Sequence, residues 1–119
     1  MNYVDAVVVP VPIKKLAAYR RMAAKSGKIW REHGALAYHE CVGDDVKPGK
    51  VTSFPQSVKL KRGEIVVFAW IVYKTRADRD RIMAKVMKDP RLASMADPKN
   101  LPFDGKRMFW GGFKEMIRA

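Results

Sequence analysis

Glu64-Ile65-Val66-Val67-Phe68-Ala69-Trp70-Ile71-Val72-Tyr73 is the stretch that decides the fold. Its β-branched and aromatic side chains favour an extended backbone. Its apolar run, Ile65 to Tyr73, is nine residues, too short to cross a bilayer as a helix. Side chains alternate across a strand. Ile65, Val67, Ala69 and Ile71 therefore take one face, and Val66, Phe68, Trp70 and Val72 the other. Neither face is polar, so this strand must lose water on both sides.

Working outward, Arg62-Gly63 reads as a turn, and Ser57-Val58-Lys59-Leu60-Lys61 alternates as a hairpin partner would. Gly43 to Lys50 is turn chemistry that should project from a sheet. Towards the C-terminus, Thr75 caps a helix from about Arg76 to Lys88, with Ile82, Met83, Val86 and Met87 expected inward. Asp89-Pro90 ends it, Arg91 to Met95 adds one short turn, and Leu101 to Gly105 is another. Lys106 to Phe113 is the last strand, where Gly111-Gly112 marks a bulge or a close backbone approach.

The N-terminal half repeats the grammar. Tyr3 to Val11 is a strand stopped by Pro10 and Pro12. Lys14 to His33 is a helix whose Leu16, Tyr19, Ala23, Ser26 and Trp30 form the inner stripe, widened by Met22 and Ile29. Gly34 sits where a left-handed terminator belongs. Ala35 to Val42 is the second strand, with Leu36, Tyr38 and Val42 opposite Ala37, His39 and Cys41. The order strand, helix, two strands, helix, strand is that of an α+β, ferredoxin-like βαββαβ sandwich on an antiparallel sheet, with residues 1–119 as one domain.

Two helices cover only one side of such a sheet. No other segment is expected to be long enough to cover Phe68, Trp70 and their neighbours, and monomers seldom tolerate so large an apolar patch. A second copy of the same sheet is the economical cover, so a homodimer through the sheet face, forming a dimeric α/β barrel, is expected.

Twenty-four Lys and Arg against twelve Asp and Glu leave a net charge of +12. Such a field attracts nucleic acid, anionic membrane or small acids without choosing among them. Seven basic residues and one acid lie between Lys14 and His33, so half the excess sits on the first helix. The ordinary reading of such a run is a solvated face. The single Cys41 excludes an intramolecular disulfide framework. No basic segment precedes a hydrophobic one at the N-terminus, so no signal peptide is expected and the cytoplasm is the default compartment. No membrane role is expected, because the stripe of the basic helix is needed by the core.

Several blocks carry a further signal. They are Glu40-Cys41-Val42-Gly43-Asp44-Asp45-Val46, Pro102-Phe103-Asp104-Gly105-Lys106-Arg107-Met108, Arg31-Glu32-His33-Gly34-Ala35 and Gly111-Gly112-Phe113. Together they resemble the YbaA-like bacterial family, a domain of unknown function, over nearly the whole chain. The resemblance implies a ferredoxin-like subunit that dimerises as an α/β barrel, and it transfers no catalytic or ligand residue. The chain departs from the family pattern at Lys74-Thr75-Arg76, and from Ala96 to Asn100, which looks extended.

The residues leave the chemistry open. His39 and Cys41 share a strand face, and His33, Asp44 or Asp45 are the further donors to consider, but two same-face ligands are too few for zinc, so no metal site and no cofactor are expected. Asp44-Asp45 lacks the alternating oxygens of a calcium loop. The candidates for lining a sheet–helix cleft are Asp5, Tyr38, Glu40, Trp70 and Arg107. Asp5 stands in an apolar strand and needs a partner, for which Lys106 or Arg107 on the neighbouring last strand is the expected source. A structural ion pair is at least as good a reading of Asp5 as an acid that does chemistry. Small anionic molecules are the expected ligand class, and the sequence does not choose between binding and conversion. Two alternatives remain. One is a nucleic-acid-associated protein, although Arg62-Gly63-Glu64-Ile65-Val66 lacks the stacking aromatics of an RNA-recognition strand. The other is an interaction scaffold without catalysis.

Overall fold

The computed structural model describes residues 1–95 and 97–119. Strand β1 (Tyr3–Pro12) leads through a 3-10 turn into helix α1 (Leu16–Glu32), strand β2 (Ala37–Val42) and the short helix α2 (Phe54–Ser57). Strand β3 (Glu64–Tyr73), helices α3 (Arg76–Met87) and α4 (Pro90–Met95), and strand β4 (Phe109–Lys114) complete it. The expected extension at Ala96 lies outside the described residues, and 98–100 form a turn.

The four strands form an antiparallel sheet in the order β2-β3-β1-β4. β3 and β1 are therefore its centre, and β2 and β4 are its edges. Gly34 takes a φ of 119° and ends α1, as its position predicts. Thr75 accepts from the Asp78 amide at 3.0 Å and starts α3.

The helices cover one face. Tyr3, Ile71 and Tyr73 of the sheet pack with Ile29, Ile82 and Val86, while Val9, Val11 and Val67 pack with Tyr19 and Ala23. Met87, expected inward, is exposed; Arg79 is buried on α3 instead, because it has an acid to reach.

The opposite face departs from expectation at one end. The hairpin strand expected at 57–61 is absent. Ser53 accepts from the Gln56 amide, Pro55 occupies the first turn, and the chain folds into α2 and a turn. The alternation still carries meaning, since Val58 is buried and Leu60 half-buried against Val8, Val66 and Phe68. Part of the chain thus covers the Val8–Val66 end of this face, contrary to the expectation that nothing would. Val4, Ala6, Trp70 and Val72 remain half-buried beyond it, with Phe109 45% and Phe113 60% exposed.

Candidate functional site

Edge strand β2 turns Tyr38 and Glu40 towards α1, two residues apart on one face. The helix meets them with Gly27, where a Cβ would lie 2.8 Å from the Tyr38 ring, so the close approach requires glycine. Two turns earlier, α1 supplies Tyr19. Its hydroxyl donates to Glu40 Oε1, while the Tyr38 hydroxyl donates to Oε2 at 2.6 Å. The rings are fixed in turn: Tyr19 meets Phe103 edge-on at 5.8 Å, and Tyr38 lies 6.0 Å from Trp30. Burial, and then the Glu40 charge, push both phenols up from their ordinary value, so both stay protonated donors.

A groove of about 560 Å³ opens beside this clamp. Leu16, Ala23, Val42 and Val67 give it apolar walls, Tyr19 and Glu40 a polar floor, and exposed Arg20 a cationic rim. A second hollow of about 460 Å³ continues along β2 past Tyr38, beside Lys28 and Arg31. Each Glu40 oxygen takes one phenol donor and retains a lone pair for a ligand. The arrangement can hold a molecule with an apolar body, a hydroxyl or other donor at Glu40, and an anionic group at the basic rim.

The other three candidates lie elsewhere. Asp5 is sealed beneath α3, where Arg79 Nη1 donates to it at 3.1 Å and the Tyr73 hydroxyl at 2.9 Å. Arg79 Nη2 also donates to the Tyr3 hydroxyl at 3.2 Å, and Trp30 Nε1 to the Tyr73 hydroxyl at 2.9 Å. Tyr3 needs Gly112 beneath it, since a Cβ there would lie 2.3 Å from its oxygen. The expected pairing with Lys106 or Arg107 does not form. The register sets Asp5 opposite Gly112 and ends β4 at Phe109 opposite Val8, which leaves both basic residues beyond the strand. Burial raises the Asp5 carboxyl above its ordinary value, with the Tyr73 hydrogen bond and Arg79 pulling against it.

Arg107 instead forks onto Glu64 at 2.8 and 2.6 Å and holds Asp104 at 2.9 Å. These bonds pull both carboxyls below their ordinary range. Trp70 points to the opposite face and stacks on His39 at 4.7 Å. Cys41 is exposed, and His33 Nε2 lies 2.9 Å from Asp89. Among the described residues, no three His, Cys, Asp or Glu side chains converge as metal ligands, and no helix is long and apolar enough to cross a membrane.

The structure therefore brings together Tyr38 and Glu40 and adds Tyr19, which the sequence reading assigned only to the core stripe. Its signal was the hydroxyl, since a buried tyrosine needs a partner for it.

Comparison with known proteins places these residues in context. Residues 2–105 match the profile of a family described as a protein of unknown function, DUF1428. The uncharacterized protein YbaA of Escherichia coli K12 is 48% identical over 117 residues, covering 98% of each chain. The Shigella flexneri protein of the same description matches equally. Among solved structures, a NIPSNAP family protein with unknown function from Agrobacterium tumefaciens is similar at a TM-score of 0.57 and 15% identity, covering 99% of this chain and 91% of that one.

Proposed function

The chain belongs to the DUF1428 family, of unknown function, and from the groove we propose that it binds a small anionic molecule between α1 and β2. One observation carries this: a half-buried carboxylate held by two phenols opens onto an apolar groove with a cationic rim. A convergent polar group in an otherwise apolar hollow is the usual form of a small-molecule site.

The assembly belongs to the same proposal. The subunit is ferredoxin-like, and two copies pair through the face bearing Trp70, Val72 and Phe113 to form a dimeric α/β barrel in the cytoplasm. The half-covered apolar face supports this, since α2 and its turn shield only the Val8–Val66 end. Sedimentation velocity at micromolar concentration is expected to give a dimer, and a stable monomer overturns the assembly.

The ligand is tested by thermal unfolding with inorganic phosphate and a panel of small hydroxycarboxylates, which carry both a donor for Glu40 and an anionic group. A ligand at a hundredfold its Kd stabilises by about 2.7 kcal/mol, which raises Tm by roughly 10 °C in a domain of this size. The shift should saturate, and Arg20→Ser should weaken it. No saturable shift with any probe overturns the groove reading and leaves the interaction scaffold.

A further inference from the structure

The arginines of this chain divide sharply. Each of the six from Arg76 to Arg118 lies within 4.0 Å of a carboxylate. Among the described residues, none of Arg20, Arg21, Arg31 and Arg62 has such a partner, and neither do Lys14, Lys15, Lys25 and Lys28. Arg31 is partly engaged, donating to the Ala35 and Leu36 carbonyls. The rest are exposed cations with nothing to neutralise them.

The fold then extends the face beyond α1. The Ile13 amide donates to the Gly63 carbonyl at 2.8 Å. That bond ties the turn carrying exposed Lys14 and Lys15 to the turn before β3, which carries exposed Lys61 and Arg62. Along the helix, Arg21, Lys25 and Lys28 follow at spacings of four and three, one above another on one side. The seventeen residues of α1 span about 25 Å at 1.5 Å per residue.

We propose that this face is a docking surface for the phosphate backbone of duplex nucleic acid. The one acid of α1, Glu32, stands at its C-terminal end and pairs with Arg91, so it leaves the cations of the helix unmatched, whereas the arginines of α3 and α4 all have carboxylate partners. Three features select the duplex. Its regular phosphates suit a straight row of unpaired cations, each releasing condensed counterions on contact. The face carries no exposed aromatic ring on which single-stranded bases would stack, because Tyr19 is buried and Trp30 packs on Tyr38. It also offers little to insert into a bilayer, Ile13 being the one large apolar side chain exposed there. Binding is therefore indifferent to sequence. It is independent of the groove, since Lys14, Arg21 and Lys25 do not line it. It is also compatible with pairing of the opposite sheet faces, which leaves both α1 helices outward.

The test is fluorescence anisotropy of the full chain with a labelled 20-base-pair duplex across a salt series. About five phosphate contacts give a slope of log K against log salt near −4.5. Lys14→Ser/Arg21→Ser/Lys25→Ser should make that slope shallower by about 2.7 and weaken binding at least ~10-fold at 0.1 M salt. Arg76→Ser/Arg81→Ser, which removes two paired cations from α3, should leave both unchanged. The proposal is overturned by absence of binding at 50 mM salt, by an equal effect of the two variants, by tighter binding of the single strand, or by vesicles containing phosphatidylserine outcompeting the duplex.

Discussion

Two carboxylates face the same helical layer, and their surroundings make them different objects. Asp5 lies on a central strand, sealed, with the Arg79 charge and the Tyr73 hydroxyl on its two oxygens. Glu40 lies on an edge strand, with neutral phenols on its oxygens and a groove beside it. A sealed ion pair has no route to a ligand, whereas a half-buried acid at an edge keeps lone pairs for one. Position in the sheet order, more than residue type, separates the structural acid from the candidate functional one.

The largest effect that sharpens this contrast is expected at Arg79. Arg79→Met leaves Asp5 buried without its counter-charge and should cost about 3–5 kcal/mol in urea unfolding. Asp5→Leu/Arg79→Met should recover most of that loss, because no orphaned charge remains. A double variant as unstable as the single one would mean that Asp5 and Arg79 are not a closed unit.

Gly27 comes next. A Cβ there meets the Tyr38 ring at 2.8 Å, so Gly27→Ala must displace the ring or the helix, with a cost of about 1–3 kcal/mol. The displaced phenol should also loosen ligand binding in the groove. Stability and binding that both remain at wild-type level would contradict the packing described.

Tyr19→Phe removes one donor from Glu40 and should cost only about 0.5–1.5 kcal/mol. The groove is open, so water can replace the lost bond. A cost as large as that of Arg79→Met would show Glu40 to be as sealed as Asp5.

The smallest effect is in pH. Asp5 is raised above the ordinary aspartate value of 3.8, so between the two values the folded protein holds a proton that the unfolded chain releases. Its contribution to stability therefore falls as pH climbs through that window. Glu64 and Asp104 are lowered, so their contribution is present above the ordinary carboxylate range and is lost on acidification. Urea midpoints for wild type and Asp5→Asn should draw apart, in favour of wild type, as pH is lowered through the Asp5 window. Parallel curves would contradict the raised carboxyl.

Much of this was legible in the chain. The two-faced apolarity of 64–73 marked a strand that must lose water on both sides, and the structure places it at the sheet centre; the Thr75 and Gly34 signals marked helix ends that the structure retains. Other signals were present but outweighed by stronger patterns. Ser53 and Gln56 stand three apart, as in a capping box, and the bond between them wins over the alternation that suggested a strand. Arg79 stands three and seven positions before Ile82 and Val86, on the buried stripe of α3, but an arginine on such a stripe reads as a break in it until an acid is known to face it. The candidate residues scattered for a different reason. Gathering Asp5, Trp70 and Arg107 into one cleft required strand register, and register places Trp70 on the other face and Arg107 beyond the end of β4. Tyr38 and Glu40 needed only the two-residue period, and that much the sequence carries.

The groove around Glu40 is most directly tested by mapping backbone amide shifts in a 1H–15N spectrum during titration with phosphate and the carboxylate probes. Saturable shifts confined to Arg20–Ala23 and Glu40–Val42, and abolished in Glu40→Gln, are the predicted result. Shifts centred on Asp5 and Arg79, or on the open sheet face around Trp70, would contradict it, as would a spectrum that no probe perturbs.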